Sequence, residues 1–148
     1  MPPLSTLTAG CILVSLVLYA LTGGADFGGG IWGLLNRGPR AEARRRLVVH
    51  AIGPVWETNH IWVIIAVVIL FTAFPKAFAV LTTTLFVPLT LILVGIVLRG
   101  SAFAFHAHHL HEEGGPGWWG GVFAGASLVT PFLLGVVLGA VSAGTIRG

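Results

Sequence analysis

The chain contains four long apolar stretches, and their lengths match the thickness of a lipid bilayer. A hydrocarbon core of roughly 30 Å takes about 20 residues of helix to cross. The first stretch, residues 4–25, carries no charge and runs on through a glycine-rich segment with one aspartate to about residue 35. The second is centred on residues 61–74 and is approached by the more polar residues 50–60. The third, 77–98, and the fourth, 118–143, are again uncharged. Strands are disfavoured, because an open sheet edge cannot face lipid and no period-2 alternation repeats. The sequence therefore predicts an all-α membrane protein. It is a single domain over residues 1–148, with four transmembrane helices in an antiparallel bundle and spans near 4–35, 47–74, 77–105 and 118–143. The N-terminal stretch is as long as a full span and has no basic segment before it, so it reads as a retained helix rather than a signal peptide.

Composition agrees on the solvent. Hydrophobic residues make up 55% of the 148 and charged residues 9%, whereas a soluble domain is about 25% charged. A formal charge of +3 and a pI near 10.0 raise the question of nucleic acid. Five of the eight basic residues, however, are Arg37, Arg40, Arg44, Arg45 and Arg46, all beside the first connection. That clustering is a topology signal, and no nucleic-acid partner is expected. It puts the first loop in the cytoplasm, both termini on the outer side, and the histidine-rich third connection inside. Lys76 and Arg147 then lie outside. Trp118 and Trp119 suit an interfacial belt at the start of the fourth span. Gly38-Pro39 marks a turn in the first loop, and Pro75-Lys76 a tight turn between the second and third spans. The single cysteine, Cys11, reads as a small buried apolar residue.

Three charged residues fall within or against the spans: Asp26, Glu57 and Arg99. A charge at membrane depth is costly and normally faces a bundle interior, a partner or water, so each is a functional candidate. Asp26 sits among Gly23, Gly24, Gly28, Gly29 and Gly30, which let another backbone come close. The run follows a lipid-length helix rather than a strand, so it is not a phosphate-binding loop. Pro54 is expected to kink or restart its helix. Glu57, Asn59 and His60 follow within one turn, between Trp56 and Trp62. An acid, an amide and an imidazole there suit proton relay, or equally a hydrogen-bonded packing knot. The run from His106 to Glu113 holds four histidines and two acids, with His108 and Glu112, and His109 and Glu113, four apart. It reads as an interfacial loop rather than a metal site, and no metal is expected. Nothing pairs a nucleophile with a base.

Several of these segments resemble subunit II of cytochrome bd-type quinol oxidases. They occur in the family's order: Leu21-Thr22-Gly23-Gly24-Ala25-Asp26-Phe27-Gly28-Gly29-Gly30, then Gly53-Pro54-Val55-Trp56-Glu57-Thr58-Asn59-His60-Ile61-Trp62, then Leu70-Phe71-Thr72-Ala73-Phe74-Pro75, then Leu98-Arg99-Gly100-Ser101-Ala102-Phe103-Ala104-Phe105. The Gly-Pro-Val-Trp-Glu segment is the most specific, and the likeness covers about residues 18–106. That subunit has eight helices in two halves, so the chain resembles a half-length form containing the first four-helix half. The resemblance implies an accessory subunit of a complex that oxidises quinol and reduces dioxygen, non-catalytic by itself, in the prokaryotic inner (cytoplasmic) membrane. It implies a haem-bearing subunit I as partner, carrying haems b and d, and a second half-length subunit II, either the same chain or a relative. No cofactor is expected on this chain; quinone or lipid at the interface is a further expectation. By position, Glu57 matches an acid linked to a proton route, Trp62 a tryptophan near the oxygen tunnel, and Arg99 a basic residue of the third-helix motif.

The chain departs from that pattern at Gly23 and Ala104, where the family often has acids, and at His106, where it usually has arginine. The proton-pathway candidates are accordingly Glu57, Asp26, His60 and His106, with Trp62 for oxygen access and Asn59 and Arg99 as structural polar groups. His106 or His108 stands in for the missing acid, since imidazoles change charge near neutral pH; otherwise the subunit is purely structural. Two other classes predict intramembrane acids or none in turnover: a small proton-coupled transporter or channel subunit, and a bare assembly factor.

Overall fold

In the computed structural model, which describes residues 3–36, 38–109, 118–144 and 146, the described chain is helical with no strand. Helix α1 spans Leu4–Leu35, α2 Ala41–Ala73, α3 Pro75–Thr84, α4 Phe86–His109 and α5 Trp118–Ser142. Four helices are long and apolar enough to cross a membrane: α1, α2, α4 and α5.

The third apolar stretch is thus divided, which hydropathy alone does not anticipate. The break falls at Leu85, three residues before Pro88. Proline has no N–H, so the Thr84 carbonyl loses its helical donor. The ladder is kept on both sides: the Leu85 N–H donates to Leu81 O at 2.9 Å and the Leu89 N–H to Leu85 O at 3.0 Å. The feature is a kink within one crossing element. The reversal between α2 and α3 is sharper than a two-residue turn. Phe74 alone is non-helical (φ −131°, ψ 57°), and Pro75 already opens α3, where a missing N–H costs nothing. Phe71 and Phe78 meet edge to face across this corner, 5.2 Å between ring centres.

The first loop closes tightly. Gly38 takes φ +100°, a left-handed conformation that glycine adopts without strain. Its carbonyl accepts from the Ala41 N–H at 3.0 Å, and the Asn36 amide donates to the Ala41 carbonyl at 2.8 Å. A loop this short makes α1 and α2 antiparallel neighbours. Helices α4 and α5 form a second packed pair, and α1 also lies against α5, so two hairpins meet along an α1–α5 seam.

Burial is inverted relative to a water-soluble domain. Leucines, valines and phenylalanines such as Leu13, Leu21, Phe71, Leu93, Phe132 and Leu138 face outward. Cys11 also faces outward, correcting the expectation of a buried thiol; an apolar solvent makes the outside as acceptable as the core for a weakly polar group. The largest fully buried side chains are Arg99, Asn59, Thr130, Asp26 and Ser127. Polar groups gather inside because lipid gives them no partner.

Candidate functional site

The polar interior is organised around Arg99. Its guanidinium grips the Asp26 carboxylate with two parallel bonds, Nη1 to Oδ2 at 2.8 Å and Nη2 to Oδ1 at 2.6 Å. Nη2 also donates to the Asp26 backbone carbonyl at 2.8 Å, and Nε donates to Ser127 Oγ at 2.8 Å. Four donor contacts from one fork, two of them a bidentate carboxylate clamp, are the geometry in which arginine binds most strongly. The pair is closed off: Arg99 is 1% exposed and Asp26 0%. Phe27 and Phe123 cover the guanidinium, each ring centre 4.8 Å from Cζ, adding cation–π attraction in a dry site.

A second layer orients the acid. Asn59 Nδ2 donates to Asp26 Oδ2 at 3.3 Å, and Thr22 Oγ1 donates to Asn59 Oδ1 at 2.9 Å. The Ser127 hydroxyl donates to the Phe123 carbonyl at 2.7 Å, leaving its oxygen to accept from Arg99. The clasp therefore joins α1, α2, α4 and α5. Local sequence makes this possible. Thr22 and Asp26, and Phe123 and Ser127, are four apart and share helix faces. Gly30, one turn after Asp26, leaves the space that Ser127 fills; a Cβ there would collide with Ser127 Oγ. Gly95, one turn before Arg99, stands likewise against Thr130.

The structure separates the α2 candidates. Asn59 is 1% exposed and part of the clasp, whereas Glu57 is exposed. Residues two positions apart on a helix differ by about 200° in azimuth, so these two side chains leave opposite sides of α2. His60 is half-buried, its Nδ1 2.8 Å from the Trp56 carbonyl oxygen and its ring 4.8 Å from the indole. Trp56 in turn stacks on Phe103 of α4, 6.0 Å between centres. Trp62 is half-buried and Ala104 exposed. His106 and His108 lie in the last turns of α4, but their side chains, and the whole of residues 110–117, lie outside the described part. Among the described residues no three His, Cys, Asp or Glu side chains gather as a metal site.

The sequence offered both members of the ion pair but not their pairing, and it missed Ser127, Thr22, Phe27 and Phe123. One signal was available. Asp26 is the acid of the first span and Arg99 the base of the third, and two such charges in lipid are cheapest together.

Residues 4–147 match the family described as cytochrome bd terminal oxidase subunit II. The chain belongs to that family. It is 34% identical over 96 residues to a cytochrome bd ubiquinol oxidase subunit 2 of Bacillus subtilis, covering 65% of this chain and 28% of that protein. It is 31% identical over 126 residues to the cytochrome bd-I ubiquinol oxidase subunit 2 of Escherichia coli K12, covering 85% of this chain and 32% of that one. A probable cytochrome oxidase subunit 2 of Haemophilus influenzae is 30% identical over 128 residues. The chain spans about a third of the length of these curated relatives. Four crossing helices and bacterial relatives make this subunit II family member a multi-pass bacterial membrane protein. The matches do not favour the transporter or channel alternative.

Proposed function

We propose that this bundle is the accessory membrane unit of a terminal oxidase complex that oxidises quinol and reduces dioxygen. It braces a haem-bearing subunit I and brings protons to it, and it catalyses nothing alone. The match to the subunit II family across residues 4–147 carries this reading. Geometry supports a division of labour among the polar groups. Asp26 and Arg99, with Asn59 and Ser127, hold the helices together. Glu57 is the proton carrier. It is exposed and lies about 4 Å from the middle of the span Arg46–Ala73 at 1.5 Å per residue. An ionised carboxylate left facing lipid at that depth costs about 3 kcal/mol. A protein partner or water must therefore stand against that face, and subunit I is the occupant we assign. Haems b and d belong to that partner in this reading, and quinone or lipid fills the remaining seams. Trp62, half-buried five residues on, lies near the oxygen route. A second four-helix unit completes subunit II, whether as a related chain or a second copy. The arginine-flanked loop faces the cytoplasm, and the membrane is the inner one.

Gentle solubilisation of native membranes, capture of this chain, and a reduced-minus-oxidised visible spectrum with a subunit gel test the assignment. Haem bands together with a larger second chain are expected, and the band ratio counts the four-helix units. A colourless eluate holding this chain alone would sink the oxidase reading. In the intact complex, Glu57→Gln should slow turnover roughly tenfold or more; unchanged turnover at every pH means that Glu57 carries no protons.

A further inference from the structure

Helix α2 carries arginines at the end where a helix tolerates them least. Arg40 is its N-cap and Arg44 stands one turn further on, both exposed. No side chain caps this helix start. Among the described residues nothing hydrogen-bonds or ion-pairs with either guanidinium. A helix N-terminus bears about half a positive charge, and like charges four residues apart repel. Two guanidinia placed here weaken α2 unless an anion meets them.

The same face shows where that anion sits. From Arg40 and Arg44 the line runs on through Leu47, Ala51, Pro54 and Thr58 at spacings of three and four residues, so these residues share one side of the helix. All six are exposed, Leu47 to 71%. Below Arg44 the strip presents no unmet polar group, because the Thr58 hydroxyl donates to the Pro54 carbonyl at 2.9 Å. Leu47 to Thr58 spans about 16 Å at 1.5 Å per residue, close to half of a hydrocarbon core of roughly 30 Å. The strip is therefore one leaflet deep. Trp32 fixes the level of the guanidinia. It stands three residues before the end of α1, and Arg44 three residues after the start of α2, so a short loop holds the two side by side in depth. Trp32 is 58% exposed, and exposed tryptophans settle at the headgroups. Glu57 and His50 leave α2 about a quarter turn away from this line.

We propose that Arg40 and Arg44 clamp the phosphate diester of one anionic phospholipid, whose acyl chain lies along Leu47, Ala51, Pro54 and Thr58. Guanidinium forks match phosphate oxygens in pairs, and the two forks start about 6 Å apart along the axis, close enough to share one phosphate. A partner's carboxylate would answer the arginines and leave the apolar strip unexplained; one lipid molecule meets both. The bound lipid offsets the repulsion at the helix start and ties the α1–α2 loop to the headgroup layer.

The test takes the purified full chain, stripped of lipid in an uncharged detergent at fixed salt. Phosphatidylglycerol, phosphatidylcholine and inorganic phosphate are the probes. Native mass spectrometry counts bound lipid, and circular dichroism confirms the helices. Phosphatidylglycerol should bind more tightly than phosphatidylcholine. The Arg40→Gln/Arg44→Gln pair should weaken it about 25-fold, at about 1 kcal/mol per arginine. The Arg40→Lys/Arg44→Lys pair should fall between the two, since an ammonium keeps the charge and loses the fork. Without lipid the glutamine pair should resist denaturing detergent at least as well as the parent, and phosphatidylglycerol should stabilise the parent alone. Phosphatidylglycerol affinity within twofold of the parent in the glutamine pair overturns the proposal. Lysines that bind as well as arginines show diffuse attraction in place of a clamp, and also overturn it. Inorganic phosphate displacing the lipid at equal concentration makes the ligand a free anion and removes the lipid. A final arm extracts the chain gently with its partners: phosphatidylglycerol held by the parent and lost from the glutamine pair supports the site, whereas equal amounts in both give the arginines to a partner's acid.

Discussion

Replacing Asp26 with alanine isolates what the clasp contributes. The substitution removes both side-chain acceptors of the fork, Oδ1 at 2.6 Å and Oδ2 at 2.8 Å, and leaves Arg99 with the Asp26 carbonyl and Ser127 Oγ. Each charge-assisted bond contributes about 1.5–3 kcal/mol. The two together agree with the 3–5 kcal/mol, roughly, that breaking a buried pair costs by stranding the other charge. A chain unfolded within the membrane finds substitute partners, so the lower end, about 3 kcal/mol, is expected. Arg99→Met should cost a similar amount, but the double variant much less than the sum, because an apolar pair strands no charge. Titration of the purified protein in mixed micelles with denaturing detergent, followed by helical circular dichroism, measures all three. Coupling of at least about 2 kcal/mol is expected. An Asp26→Ala variant within about 0.5 kcal/mol of the parent, or strict additivity in the double, would refute the clasp as the element that holds the hairpins together.

Two glycines in one helix should respond oppositely. Gly30→Ala drives a methyl into Ser127 Oγ and should destabilise by about 1–3 kcal/mol, whereas Gly24, with nothing within 4 Å, should gain about 0.5–1 kcal/mol as alanine; the same detergent titration reads both, and equal signs would contradict the packing described. Pro88→Ala should restore the Thr84 carbonyl's donor and straighten α3 onto α4, seen as a changed spin-label distance between the two segments. With Cys11 replaced by serine, a cysteine at the exposed Pro39 should react with an impermeant maleimide only from the cytoplasmic side. Labelling from outside would invert the proposed topology.

The spans were legible because an uncharged run of bilayer length has few other uses. The break at Leu85 was not, although Pro88 was in plain view: hydropathy counts side chains and is blind to a missing backbone donor. The grouping of Glu57 with Asn59 and His60 shows a related blindness. Closeness along the chain suggested one cluster, while the 100° step of the helix sends Glu57 outward and Asn59 inward. The Asp26–Arg99 pairing spans two helices that no local pattern links. Ser127 gave no warning, since a serine in a lipid-length helix can always satisfy itself on its own backbone, as it also does here.

Membrane proteins are threaded into lipid from the N-terminus, and the clasp has a direction in time. Asp26 is synthesised 73 residues ahead of Arg99, about 4–15 s at ribosomal speeds of roughly 5–20 residues per second. During that interval the acid lacks the guanidinium that clamps it in the folded bundle. The α1–α2 hairpin supplies a caretaker, since Asn59 follows only 33 residues behind and already donates to Oδ2. Arg99 then arrives to a carboxylate that is oriented and waiting, and the last helix closes over both when Ser127 emerges.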